Sequence, residues 1–203
     1  MKILAVGKNY LDHIKEMNSD RPEEPVIFSK PDTALLMNNS VFYLPDFSNN
    51  VQFEAELILR ICKEGKNIEE KFAHKYFDGI GFGIDFTARD LQQKAKEKGN
   101  PWTLAKGFNG SAPVSEFLPL STFPDIHNIS FSLQVNGVIR QNGNSKMMLF
   151  DFGKIISYIS KFITLKKGDI IFTGTPEGVD KVSMGDKLAG FIEQNKILEI
   201  EVR

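Results

Sequence analysis

The chain has 203 residues, 41% hydrophobic and 25% charged, and a formal net charge of −1 from 25 Lys and Arg against 26 Asp and Glu. That length supports one substantial core, and the mixing of both charges along the chain leaves no footprint for nucleic acid or an anionic membrane. The single cysteine, Cys62, rules out an internal disulfide, the apolar run before Gly7 is too short for a secretion signal, and no later run reaches membrane-spanning length, so one cytoplasmic domain is expected.

Apolar runs of strand type, mostly bounded by Gly, Pro, Asn or Asp, recur as ILAVG (3–7), PVIFSK (25–30), SVFYLP (40–45) and FEAELILRI (53–61). They continue as GIGFGIDF (79–86), ISFSLQVNG (129–137), DIIFTGTP (169–176), DKLAGFI (186–192) and ILEIEV (197–202). Helical spacing is confined to YLDHIKEM (10–17), a stretch from about Ala88 to Lys98, and FDFGKIISYISKFI (150–163). The pattern is a strand-rich α+β chain and not a regular βαβ alternation.

Candidate chemistry is scattered along these elements. His13 and Glu16 are three apart on the first helical pattern, a spacing at which a carboxylate can orient an imidazole as a general base, although surface pairs share it. In VQFEAELILRI (51–61), alternation puts Val51, Phe53, Ala55, Leu57, Leu59 and Ile61 on one face and Gln52, Glu54, Glu56, Ile58 and Arg60 on the other. A half-exposed strand with an acidic wet face accounts for the Glu54/Glu56 pair; so does a pair of metal ligands, since a cation offsets their mutual repulsion. Cys62, at the end of that run, is expected to be a buried thiol.

Gly79, Gly81, Gly83 and Asp85 share one face of the next strand, so Asp85 projects from a face otherwise stripped of side chains. Thr87 followed by Asp90 predicts a capping-box start for the second helix, with Arg89 and Gln92 together on its first turns. Asp85 paired with Arg89 for structure alone fits the same residues. Lys106 interrupts an apolar run just before Gly107, as a snorkelling surface lysine does. Thr173 and Thr175 lie in a Gly-flanked turn that is either plain or able to bind a carboxylate.

The blocks VGKNYLDHIKEM, PVIFSKPDTAL, FEAELIL, DFTARDLQQKAKEKGNPWTLAKGFNGSAPVS, LQVNGVIRQNGNSKMMLF and ISKFITLKKGDIIFTGTPEGV jointly resemble the fumarylacetoacetate hydrolase family. The likeness is to its short single-domain branch of acylpyruvate hydrolases and oxaloacetate decarboxylases, and it runs nearly end to end. It implies a mixed β-sandwich roll, usually a homodimer, in which residues to about 45 supply strands and a lid helix and the rest forms the metal-binding roll. It also implies a divalent cation, Mg²⁺ or Mn²⁺, on Glu54, Glu56 and Asp85, for which an all-oxygen set is suited.

The family's substrate-anchoring and charge-stabilising positions fall on Arg89, Gln92, Lys106 and Thr175, and its lid base dyad on His13 and Glu16. Lys30 matches a recurrent family lysine and is grouped with the substrate-binding positions. Phe53 stands where some relatives carry His, which leaves the lid dyad as the base. The implied substrate is a small 2-oxo acid: an acylpyruvate cleaved to pyruvate, oxaloacetate decarboxylated, or a hydroxymuconate-type dioate isomerised. A metal-binding protein without catalysis is expected to lack the base dyad or Lys106.

Overall fold

The structure, a computed structural model, describes residues 1–203. In chain order the strands are β1 Ile3–Gly7, β2 Val26–Lys30, β3 Leu35–Met37, β4 Val41–Phe42, β5 Val51–Phe53, β6 Ala55–Ile61, β7 Phe77–Ile84 and β8 Thr87–Ala88. They continue as β9 Ala112–Val114, β10 Leu118–Pro119, β11 Ser130–Val135, β12 Val138–Asn144, β13 Ile170–Phe172, β14 Asp180–Lys181, β15 Lys187–Ile192 and β16 Asn195–Val202. The α-helices are α1 Leu11–Glu16, α2 Arg89–Lys98, α3 Thr103–Lys106 and α4 Phe152–Phe162.

A large sheet runs β2-β1-β13-β6-β7-β9-β3 with β10 on β7, a second runs β12-β11-β15-β16-β4, and a small third joins β14-β5-β8. The large sheet mixes directions, with β1 parallel to β13 and β13 antiparallel to β6. One of its faces, carrying Leu4, Val6, Leu57, Leu59, Ile80 and Phe82, packs against the second sheet in a cluster of 34 buried residues. The opposite face is covered too: Ile58 and Phe172 from its centre meet Ala34, Ala112 and Val114 from one end and Phe28 from the other. A sheet whose two ends meet over its own middle is rolled, and rolling hides both faces.

That closure overturns the wet-face reading of residues 51–61. The expected apolar face is all core, but the other face is not solvated: Ile58 is 0%, Glu56 1% and Glu54 5% exposed. The run is also not one strand. It breaks at Glu54, where β5 leaves the large sheet to pair with β8 and β14, while β6 continues against β7. The stripped face of β7 is filled, not open: a Cβ at Gly83 would lie 2.6 Å from the Phe172 ring. Glycine there is what lets the roll close.

Three smaller expectations also change. Thr87 does not cap α2; its hydroxyl donates to the Asp85 carbonyl at 3.2 Å, and Asp90 accepts from Ser48 Oγ at 2.6 Å and from Leu91 N at 2.9 Å. Cys62 is half-buried because the chain turns outward at the end of β6. Strands β3, β9 and β12 were not legible, since two are three residues long and the third, VIRQNGN, turns only Gln141 and Gly143 fully inward.

Candidate functional site

The break at Glu54 builds the site. On the neighbouring strand β7 ends at Ile84 at the same level, and the Asp85 amide donates to the Glu54 carbonyl at 2.7 Å. Two adjacent strands thus leave the sheet together, and Glu54, Glu56 and Asp85 gather with one oxygen from each within 4.8 Å of the others. All three carboxyl groups are buried.

Lys106, at the end of α3, lies 3% exposed between two of them, not on the surface, and its ammonium is 2.7 Å from both Glu54 Oε2 and Asp85 Oδ2. Burial alone would lower its pKa, but Asp85 and Glu54 raise it, so it is a fixed cation. Arg89 donates to Glu54 Oε1 at 2.5 Å, to Gln92 Oε1 at 2.6 Å and to Gln52 Oε1 at 2.7 Å. These bonds make it first a clamp on Glu54. Burial would push Glu54 up, yet Lys106 and Arg89 hold it well below the usual carboxylate range. Glu56 goes the other way: burial, then Asp85 and Glu54, push it well above, against the Gly174 amide at 2.5 Å. Gly174 has φ +103° and a Cβ there would stand 2.6 Å from Asn9 Cβ, so this amide approaches Glu56 only from glycine.

Lys30, at the end of β2, does not reach the cavity wall. Its ammonium, with 0% side-chain exposure, pairs with Asp85 Oδ1 at 2.6 Å and donates to Ser111 O at 3.0 Å, Ser111 Oγ at 3.1 Å and the Lys106 carbonyl. The contact to Oδ1 satisfies charge without a directed hydrogen bond, since that oxygen has no hydrogen-bond partner in the protein. The geometry places Lys30 behind Asp85 as a support, out of reach of a substrate.

His13 and Glu16 come together on α1, with His13 Nδ1 3.0 Å from Glu16 Oε2, and Glu16 Oε1 accepts from the Gly178 amide at 3.0 Å. A six-residue helix is too short to hold itself. Glu16 and the buried Asn9 tie it down; Asn9 donates to Thr173 O at 2.7 Å and Phe150 O at 3.0 Å. Thr175 faces the cavity, whereas the Thr173 hydroxyl is spent on the Leu57 carbonyl at 2.8 Å.

His13, Glu54, Glu56, Asp85, Arg89, Gln92, Lys106 and Thr175, all named from the sequence, line one cavity of about 40 Å³. Phe28 and Trp102 form an aromatic side, and Lys8 and Lys96, which make no ion pair, add positive charge. Lys8, Lys96, Asn9 and Gln141 lie inside the blocks that carry the family likeness, but no spacing or periodicity marks a role for any of them. An all-oxygen donor set whose central member, Glu56, is left without a cationic partner fits a hard divalent cation and leaves room beside it for a small acid.

A rolled β domain with a buried acidic triad, a fixed lysine and a His–Glu pair in one cavity defines a metal-dependent enzyme of small-molecule chemistry. The chain belongs to the fumarylacetoacetate hydrolase family: residues 2–203 match the family model of the fumarylacetoacetate hydrolase C-terminal domain. It is 46% identical over 186 residues, 92% of this chain and 84% of the relative, to the mitochondrial oxaloacetate tautomerase FAHD1 of Bos taurus. The crystal structure of fumarylpyruvate hydrolase from Pseudomonas aeruginosa, in complex with Mn²⁺ and pyruvate, superposes with a TM-score of 0.94 at 34% identity, covering 100% of this chain and 89% of that one. That of 5-carboxymethyl-2-hydroxymuconate delta-isomerase from Mycobacterium smegmatis gives 0.88 at 35% identity, covering 99% and 78%. No helix of the chain is long and apolar enough to cross a membrane.

Proposed function

We propose that the protein is a Mg²⁺-dependent enzyme, served also by Mn²⁺, that forms and reprotonates the enol of short 2-oxo dicarboxylic acids. Oxaloacetate is the leading substrate. The observation that carries this is the lining of one cavity, which brings together the acidic triad, the fixed Lys106, His13, the aromatic Phe28 and Trp102, and the unpaired cations Lys8 and Lys96. A metal-chelating keto acid with a second carboxylate matches those groups in kind.

Glu54, Glu56 and Asp85 would hold the divalent cation, which when bound would supply Lewis acidity toward a 2-oxo acid and so acidify its C3 protons. His13 has Nδ1 engaged by Glu16, so Nε2 is the nitrogen that takes a proton from C3, and the Glu16 carboxylate steadies the imidazolium. The imidazolium then gives that proton to the 2-oxo oxygen, which forms the enol and restores neutral His13; the reverse transfer gives back the ketone. Lys106 holds positive charge beside the developing enolate. The Gln92 amide nitrogen, unbonded within the protein, and Thr175 orient the substrate oxygens. Loss of CO₂ from oxaloacetate gives pyruvate enolate in the same setting and needs no base.

The likeness to the fumarylpyruvate hydrolase favours a second reaction, hydrolysis of acylpyruvates. There His13 activates water for attack on the distal carbonyl, the C3–C4 bond breaks, and pyruvate enolate departs to be protonated at C3. Isomerisation of a hydroxymuconate-type dioate would reuse the same proton transfer.

The test is a panel of oxaloacetate, acetylpyruvate and fumarylpyruvate with Mg²⁺, Mn²⁺ or chelator. Enol decay and pyruvate release are followed for wild type, His13→Ala, Glu56→Ala and Lys96→Gln. Glu56→Ala should abolish every activity, and His13→Ala should abolish tautomerisation and hydrolysis while sparing much of the decarboxylation. Lys96→Gln should raise KM for the dioates alone. Equal loss of all three activities in His13→Ala, or metal-independent turnover, would refute the reading.

A further inference from the structure

Gln141 lies in β12, in a different sheet from the acidic triad, and is 1% exposed. Its side chain nevertheless reaches two parts of the site. Oε1 accepts from the Ala55 amide at 2.8 Å, and Nε2 donates to Thr175 Oγ1 at 2.8 Å and to the Pro176 carbonyl at 2.9 Å. Ala55 stands between Glu54 and Glu56, where the strand breaks, and its amide would otherwise be buried without a partner.

The chemistry of these partners fixes which way the amide of Gln141 points. A backbone N–H only donates and a backbone carbonyl only accepts, so the oxygen must face Ala55 and the nitrogen must face Pro176. The same nitrogen then has to donate to Thr175. Thr175 Oγ1 is thereby an acceptor on its protein side, and its own proton goes elsewhere. No acceptor in the protein takes that proton, while Thr175, 3% exposed, lines the cavity with the acidic triad.

We propose that Gln141 is a positioning residue that commits the Thr175 hydroxyl to donate into the cavity, toward an anionic oxygen of the bound acid. This rests on the 2-oxo acid reading above. Without the amide donor, a threonine hydroxyl turns to whichever neighbour accepts it, and the cavity loses a directed donor. The consequence is selectivity in hydrogen-bond polarity: a carboxylate or keto oxygen is favoured at Thr175 over a group that must itself donate.

The experiment measures oxalate, a non-reacting mimic of the 2-oxo acid head, by calorimetry at saturating Mg²⁺. Gln141→Glu keeps size and the acceptor for Ala55 but replaces the donor by an acceptor, which turns the Thr175 proton inward. It should weaken oxalate about tenfold, as should Thr175→Val, while Thr175→Ser keeps wild-type affinity. In the Thr175→Val background Gln141→Glu should add nothing, and Mg²⁺ affinity without oxalate should match wild type in both single variants.

A further loss in the double variant, or weaker Mg²⁺ binding by Gln141→Glu, would show that Gln141 acts through the acidic triad and overturn the proposal. Gln141→Met, which lacks donor and acceptor alike, carries the same cycle if Gln141→Glu does not fold. A wild type that binds no oxalate sinks the functional reading and this inference with it. A wild type that binds oxalate as tightly as Gln141→Glu does overturns the inference alone.

Discussion

Glu56→Gln should stabilise the metal-free protein while removing its response to metal. Glu56 is 1% exposed, and one of its oxygens lies within 4.8 Å of oxygens of Glu54 and Asp85. An ionised Glu56 would be repelled by a unit charge at that separation by about 3.5 kcal/mol at an effective dielectric near 20, and the folded protein avoids this only by holding Glu56 protonated, which itself costs stability at neutral pH. Lys106, 2.7 Å from each of the two neighbours, cancels much of that field. A net relief of about 1–3 kcal/mol remains for a neutral isostere, and the glutamine oxygen still accepts from the Gly174 amide. At about 2–4 °C per kcal/mol for a chain of this size, the melting temperature in chelator should rise by roughly 2–12 °C.

Wild type should gain about 2.7 kcal/mol with Mg²⁺ at 100 times its dissociation constant, and the variant almost nothing. Calorimetric melts of both proteins with chelator and with a Mg²⁺ series measure both effects. A Glu56→Gln protein that melts below wild type in chelator would mean that Glu56 is already well paired. A retained Mg²⁺ response would refute its role as a ligand.

The pKa shifts give a pH test with a definite sign. Glu56 is raised by burial and by Asp85 and Glu54, so the folded chain holds a proton that the unfolded chain loses near pH 4.3, and metal-free stability falls as pH rises above that value. Glu54, depressed by Lys106 and Arg89 against the effect of burial, contributes stability above about pH 4.3 that is lost on acidification. The advantage of Glu56→Gln in chelator should therefore widen from pH 5 to pH 8, and Mg²⁺ binding should release protons, read as a buffer-dependent enthalpy. Lys30→Met leaves Asp85 without its rear cation and should cost about 3 kcal/mol in urea unfolding; a loss below ~1 kcal/mol would make the pair incidental. Glu16→Gln should lower tautomerase turnover by about 10²-fold with Mg²⁺ affinity unchanged, since it weakens the hold on His13 and touches no proposed ligand.

Much of this site was written locally in the chain. Two-residue alternation set Leu57 and Leu59 toward the core and the two glutamates the other way, and a three-residue helical step joined His13 to Glu16 and Arg89 to Gln92. Such relations depend only on the rise and twist of one element, so the order of residues determines them. The order of motifs also sufficed to mark the family.

What the chain order left open was settled by contacts between distant segments. Whether the second face of β6 is wet depends on the roll that brings Ala112 and Val114 over Ile58, so burial turned an acidic strand face into a buried triad. A lysine near the end of an apolar run reads as snorkelling until α3 sets its ammonium between Glu54 and Asp85. Lys30 likewise reads as a cavity residue until β2 carries it behind Asp85. Gln141 sits inside a family block, yet the order of residues marks no role for it, because a glutamine in a polar strand gains its meaning from Ala55 and Thr175, 86 and 34 residues away. Periodicity records the direction of a side chain relative to its own backbone, while charge pairing and hydrogen-bond polarity are properties of neighbours that only the closed roll supplies.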